Sequence, residues 1–253
     1  MLNNQEISRK YEIAESTVEK ALLNLQSGAV RFVAFSGKIG SGKDTIAGVF
    51  FANDNSVIIH EYFAKALKQE VQQVFDIIRN VPSFFVAVDQ IKGKMQINDE
   101  KALQVCDYLY EEVRDNLELT SYIKTNNVRL ALQYWGTEVR REHDDAYWVK
   151  KTMKSVFDNL AENRSVFVTD ARFYNEMDAV ADCGGVAIRL DVSPEEQTRR
   201  VRGRDNVSFT EEARLHVSET ALDDYPRFDV RVMTDNVPPE TIVEKIVEEL
   251  RNK

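Results

Sequence analysis

Apolar residues in this chain gather into five short runs bounded by polar or glycine-rich stretches: VRFVAFS at 30–36, SVIIH at 56–60, SVFVT at 165–169, VAIRLDV at 186–192 and FDVRVMT at 228–234. Runs of that length, rich in β-branched and aromatic residues, predict buried strands. Between them, apolar positions recur at helical spacing over 64–78, 129–160, 175–183, 194–202 and 238–251, and a further helical pattern follows Asp44. Pro238 and Pro239 mark the start of the last helix, and TIVEKIVEEL gives it an apolar stripe. Strands alternating with helices predict an α/β fold: a five-stranded parallel sheet with helices on both faces.

Two segments fall outside that alternation. The region 82–127 holds one helical pattern, DEKALQVCDYLYEEVRDNLEL, between polar stretches, and an insertion of this kind in a doubly wound fold covers or shapes a ligand site. Residues 1–29 precede the first strand and form an N-terminal helical extension to a main domain over 30–253. Within it, QEISRKYEIAESTVEKALLNL predicts two helices, a turn near Glu12–Ala14 and an N-capping Ser16. The hairpin resembles part of a helix-turn-helix, and equally a capped amphipathic pair that packs on the domain or on a second subunit.

Composition narrows the class. With 253 residues, 43% of them hydrophobic, the chain can bury a full α/β core. No apolar run approaches the roughly 20 residues of a membrane span, and the N-terminus has no apolar signal core, which predicts a cytoplasmic protein. Cys106 and Cys183 lie far apart with no ligand spacing, so neither a disulfide framework nor a zinc site is expected. The formal charge of −9 argues against a nucleic-acid platform over the whole surface. The basic residues instead bunch at Arg140–Arg141 and from Arg199 to Arg204, which suits compact phosphate ligands.

The strongest chemical signal is Gly37-Lys38-Ile39-Gly40-Ser41-Gly42-Lys43-Asp44-Thr45, placed after a strand and before a helix. Glycines let successive amides turn around an anion, the helix N-terminus adds partial positive charge, and Lys43 reaches phosphate oxygens. Asp44 stands where the strict motif has Ser or Thr, and the hydroxyl follows at Thr45, a candidate Mg²⁺ ligand. A second motif is Ser165 to Glu176. There Asp170 ends a strand at the ligand-binding edge of the sheet, where it would order Mg²⁺ or hold an acceptor, and Arg172 is spaced to bind a phosphate. A strand-terminating turn with a capping acid accounts for Asp170 as well.

A third motif runs from Arg129 to Arg141 and on to Asp144, Tyr147 and Trp148. Aromatic groups with adjacent guanidinium groups can sandwich a base and fork onto its phosphate, although Trp135 and Trp148 serve equally as core anchors. The fourth, Pro194 to Asp205, is a helix carrying Arg199 and Arg202 that resembles the arginine-rich lid of small kinases, over 194–215. Helix dipoles also attract basic residues to helix ends.

Together these stretches resemble the bacteriophage deoxynucleoside monophosphate kinases. The likeness runs from about Val30 to the C-terminus and is carried by SGKIGSGKDT at 36–45, LQYWGTEVRREHDDAYW at 132–148, VTDARFYNE at 168–176, HVSET at 216–220 and TDN at 234–236. It implies a P-loop kinase fold with a helical acceptor-binding region over 82–160, ATP and Mg²⁺ as cosubstrates, and phosphorylation of deoxynucleoside monophosphates in the cytoplasm of an infected host. It also implies pairing into a homodimer. On this reading Gly37 to Thr45, with Arg202, hold ATP; Lys43, Asp170, Arg172, Arg199 and Arg202 serve the transfer; Thr45 and Asp170 flank the metal. Arg129, Trp135, Gly136, Arg140, Arg141, Trp148, Asp170, Arg172, Glu176 and Glu219 line the acceptor pocket. Animal-type phosphomevalonate kinases share the SGKD loop and the strand ending in D-x-R, so a phosphorylated isoprenoid precursor is the alternative acceptor. A DNA-binding regulator with an NTPase body, reading DNA through residues 1–27, is a third reading.

Overall fold

The computed structural model describes residues 1–52, 57–123, 125–205, 215 and 217–252. Its strands are β1 (Phe32–Ser36), β2 (Val57–Glu61), β3 (Arg164–Ala171), β4 (Val186–Asp191) and β5 (Val230–Met233). They form one parallel sheet in the order β2-β3-β1-β4-β5. Ser56, the expected head of β2, lies outside the described residues, as do 206–214 of the expected lid and His216. The chain leaves β1 toward β2 and leaves the adjacent β4 toward β5 on the other side. The carboxyl ends of β1 and β4 therefore border a switch-point crevice, and the glycine-rich loop follows β1 directly.

The chain divides into two compact units, Met1–Phe63 with Val149–Lys253, and Ala64–Trp148. In the first, the period-two alternation of β1 separates two cores. Phe32 and Ala34 join Val166, Val168 and Ala187 on one side of the sheet, whereas Val33 and Phe35 join Ile188, Leu190, Val230 and Val232 on the other. The second of these cores is closed by α3 (Lys43–Phe51) through Ile46 and Phe51, and by the C-terminal helix α12 (Pro239–Arg251) through Ile242 and Ile246.

The first core is completed by the N-terminal helices α1 (Asn4–Tyr11) and α2 (Glu15–Gln26), whose Ile7, Tyr11, Val18, Ala21 and Leu22 are buried in it. Residues 1–29 are thus built into the sheet's own core. Ser16 does not cap α2, which opens at Ala14 with no side-chain cap bond. The cap belongs instead to α1, where the Asn3 side chain accepts from the Glu6 N–H at 3.0 Å and Glu6 accepts from the Asn3 N–H at 2.8 Å.

The second unit is helical. It comprises α4 (Ala64–Asn80), α5 (Phe84–Met95), α6 (Asp99–Asp115), α7 (Asn126–Tyr134) and a π-helical turn over Trp135–Arg141. It begins at Ala64 rather than at 82 and ends at Trp148 rather than at 160, because Val71, Val74, Phe75 and Ile78 of α4 share one core with α5, α6 and α7. The helix expected over 129–160 is interrupted. The π turn closes with the Glu142 N–H on the Thr137 carbonyl at 3.0 Å, and the Asp144 carboxylate then accepts from the Ala146 N–H, so a new helix α8 (Tyr147–Ala161) has to start. The remaining helices are α9 (Tyr174–Asp182), α10 (Pro194–Asp205) and α11 (Val217–Thr220). Among the described residues, no helix is long and apolar enough to cross a membrane.

Candidate active site

Between β1 and α3 the backbone turns with positive φ at Gly37 (153°), Gly40 (79°) and Gly42 (87°). Gly37 is required for space as well as for conformation, since a Cβ there would lie 2.4 Å from the Leu190 carbonyl and 2.5 Å from Ser41 Oγ. Lys43, first residue of α3, turns back over the loop and donates from Nζ to the carbonyls of Gly37 at 2.7 Å and Lys38 at 3.0 Å. Burial, and then the nearby positive charge of Arg172, push its pKa down to about 8. An ammonium held so weakly by carbonyl dipoles is poised to exchange them for an anion.

Lys38 is drawn aside into an ion pair with Asp223 at 2.9 Å. Asp44 and Thr45 are exposed on the first turn of α3, and the Thr169 hydroxyl donates to Asp44 at 2.6 Å. Asp170 sits at the end of β3, as its sequence position predicts, and its Oδ1 accepts from the Phe63 N–H at 2.8 Å. Arg172 pairs with Glu219, whose other oxygen accepts from the Ile39 N–H of the loop at 2.6 Å. Glu219 thereby joins the loop to Arg172. Glu176 takes a different part from the expected pocket role: it is buried, and its Oε2 accepts the N–H groups of Arg172 and Phe173 at the head of α9. That is a cap, which holds Arg172 through its backbone.

Sequence reasoning missed a further cation at this edge. Arg189, on β4, is only 3% exposed and is held by Asp191 at 3.2 Å, Asp223 at 2.5 Å and the hydroxyl of Ser36, the last residue of β1. The run VAIRLD reads as a plain strand, and only the parallel pairing of Ser36 with Arg189 reveals the contact.

Helix α10 meets the loop through Gln197, Arg200 and Val201. Gln197 donates to the Ile39 carbonyl at 3.1 Å, and Val201 packs against the loop so closely that a Cβ on Gly40 would lie 3.3 Å from its Cγ2. Arg200 donates to the Gly40 carbonyl at 3.1 Å and to the carbonyl of Thr234 at 2.7 Å. Arg199, expected to serve the transfer, is 70% exposed and forks onto Glu196 of its own helix, and Arg202 is likewise exposed. Helical spacing is the reason: the face that carries Gln197, Arg200 and Val201 meets the loop, which turns 199 and 202 to solvent. Beside this contact lies a hollow of about 260 Å³ lined by Gly40, Gly42, Thr45, Arg200, Thr234 and Val237.

The second unit carries its own cationic cluster. Arg140 leaves the π turn with its guanidinium 5.4 Å from the Trp135 ring centre and 5.3 Å from that of Tyr147, and its Nε donates to Glu70 at 2.8 Å. Trp135 is fully buried with its indole N–H on the same carboxylate, and Trp148 is buried with its N–H on the Gly136 carbonyl at 3.0 Å. Both rings are core, not base platforms. Gly136 is buried with them, and a side chain there would press on Leu67. Arg141 is half-buried, while exposed Arg129 borders a shallow apolar hollow with Leu67, Leu132 and Gln133. Glu70 was not legible as a site residue, since in the sequence it is one more charge on a helix.

A family model described as deoxynucleotide monophosphate kinase matches residues 64–212, more than half of the chain. The match takes in the second unit, β3, β4 and α10, and starts after the glycine-rich loop. No curated protein matches the chain.

Proposed function

The chain belongs to the deoxynucleotide monophosphate kinase family, and from that premise we propose that it transfers the γ-phosphoryl group of ATP, with Mg²⁺, to a deoxynucleoside monophosphate. In the reaction an oxygen of the acceptor's phosphate bonds to the γ-phosphorus as the bond to the β-phosphate oxygen breaks, releasing ADP and a deoxynucleoside diphosphate. No covalent enzyme intermediate is needed, so the protein's task is to position and to balance charge.

The observation that carries the reading is the Lys43 ammonium. It is turned onto the loop's own carbonyls beside Arg172, with its pKa pushed down, an arrangement relieved by a polyanion. The amides of the loop and the N-terminus of α3 would hold the ATP phosphates, and the hollow bordered by Arg200, Thr234 and Val237 suits the nucleoside portion. Thr45 and Asp170 offer the hard oxygen donors that fit Mg²⁺. Among the described residues, no group of three or more His, Cys, Asp or Glu side chains is arranged to hold a metal ion. Mg²⁺ held by Thr45 and Asp170 would supply neutralisation of phosphate charge. Within the second unit, Arg140, Arg141 and Arg129 are the groups proposed to bind the acceptor; within the first, Arg172 and Asp170, at the end of β3 near the loop, are proposed to serve the transfer.

ADP formation with ATP and Mg²⁺ against dAMP, dGMP, dCMP, dTMP, their ribonucleotide counterparts and phosphomevalonate tests this, with Lys43→Met as control. Turnover on deoxynucleotides that disappears in the variant is expected. Silence on every nucleotide together with turnover on phosphomevalonate would overturn the acceptor assignment.

A further inference from the structure

Glu70 lies on α4, sixty-five residues before Trp135 and seventy before Arg140, yet three donors from the later segment converge on it. Its Oε2 accepts from Trp135 Nε1 at 3.0 Å and Arg140 Nε at 2.8 Å, and its Oε1 accepts from the Tyr147 hydroxyl at 2.5 Å. The carboxylate is 10% exposed and Arg140 16%, so the pair is largely but not fully withdrawn from solvent. The Arg140 guanidinium is flanked by the Trp135 and Tyr147 rings, which restrict its plane, and Nε is taken. Among the described residues, its Nη1 and Nη2 carry no hydrogen bond.

A lone structural ion pair would more economically present a full bidentate face of arginine to the carboxylate. Here the carboxylate takes the inner nitrogen alone and leaves the terminal pair, the geometry that matches two oxygens of a phosphate. The π turn has a matching consequence. Its extra residue displaces Arg140 from the register a continuous α-helix would give it, and such turns concentrate at functional sites.

We infer that Glu70 is a positioning residue, which grips Arg140 by Nε between two aromatic rings so that both Nη groups form a fork for the phosphate of the acceptor nucleotide. The inference rests on the kinase reading above. Glu70 touches no reactant itself and acts through Arg140.

The test is a double-mutant cycle on the folded, full-length chain, with the KM for the best deoxynucleotide and the KM for ATP measured separately. Glu70→Ala is expected to raise the acceptor KM about tenfold or more while the ATP KM stays within about twofold. In an Arg140→Ala background the same substitution is expected to add almost nothing. Glu70→Gln can present its oxygen to Trp135 and Arg140 and its amide to the Tyr147 oxygen, so it is expected to recover most of the acceptor affinity. Should Glu70→Ala fail to fold, Glu70→Met, which fills similar volume without a carboxylate, runs through the same cycle.

An acceptor KM that does not move, both KM values rising together, or full additivity with Arg140→Ala would each overturn the positioning role. A wild-type protein silent on every nucleotide refutes the kinase reading instead, so the two failures are distinct.

Discussion

Replacing Lys43 by Met should make the nucleotide-free protein more stable and the enzyme inactive. The fall of the lysine's pKa from 10.5 to about 8, caused first by burial and then by Arg172, corresponds to roughly 3 kcal/mol of charge held at a cost. Removing the amine also removes its hydrogen bonds to the Gly37 and Lys38 carbonyls, together about 1–2 kcal/mol. The net expectation at pH 7 is a gain of about 1–2 kcal/mol, a rise in Tm of roughly 2–6 °C for a chain of this size. For a lysine depressed in the folded state, the unfolded chain binds more protons between about pH 8 and 10.5, so wild-type stability rises through that window. Below about pH 8 both states are protonated and the full cost remains. Scanning calorimetry at pH 7 and pH 9 should therefore show the Met variant melting higher at pH 7, with its lead reduced by about 1 kcal/mol at pH 9. Saturating ATP should reverse the order, because only the wild type gains the binding energy. A Met variant that melts below wild type at pH 7, or a lead that does not shrink with pH, would refute the account of the loop as a cradle under electrostatic tension.

Other substitutions separate site from scaffold. Gly37→Ala forces a Cβ to 2.4 Å from the Leu190 carbonyl at a φ of 153°, and should cost about 2 kcal/mol or more and eliminate ATP binding, as read by melting and by nucleotide titration. Arg200→Ala should raise the ATP KM about tenfold, because its hydrogen bonds to Gly40 and Thr234 border the hollow; Arg199→Ala, whose solvent-facing side chain pairs only with Glu196, an acid that Arg200 also holds, should stay within about twofold. Trp148→Phe, which removes the indole hydrogen bond to the Gly136 carbonyl in the core, should lower stability by about 1–3 kcal/mol in a denaturant titration while leaving the acceptor KM of the folded enzyme unchanged.

The sheet and the loop were legible because each is written in contiguous residues. The unbroken apolar run over 32–35 reports a strand with two buried faces, and GKIGSGKDT reports a ligand that the backbone itself must surround. Helix α5 was missed because FFVAVDQIKGKM carries a nearly continuous apolar start and a glycine, which blur the helical period. The break after Arg141 was missed because π bonding has no compositional mark.

The two readings that the sequence leaves open for Trp135 and Trp148, base platform or core anchor, share a cause with the overlooked Glu70 and Arg189. An indole beside an arginine reads as a base platform as long as its N–H has no known partner, and the partner of Trp135 lies sixty-five residues upstream. Arg189 reads as a strand residue as long as its neighbours Ser36 and Asp223 are unknown. A residue facing a phosphate is marked by its local context, since glycines and a helix start must accompany it. A residue that holds another side chain in place is marked only by that partner, which the fold supplies. The least legible residues of this chain are therefore its paired charges, where burial turns an ordinary helix glutamate or strand arginine into an anchor.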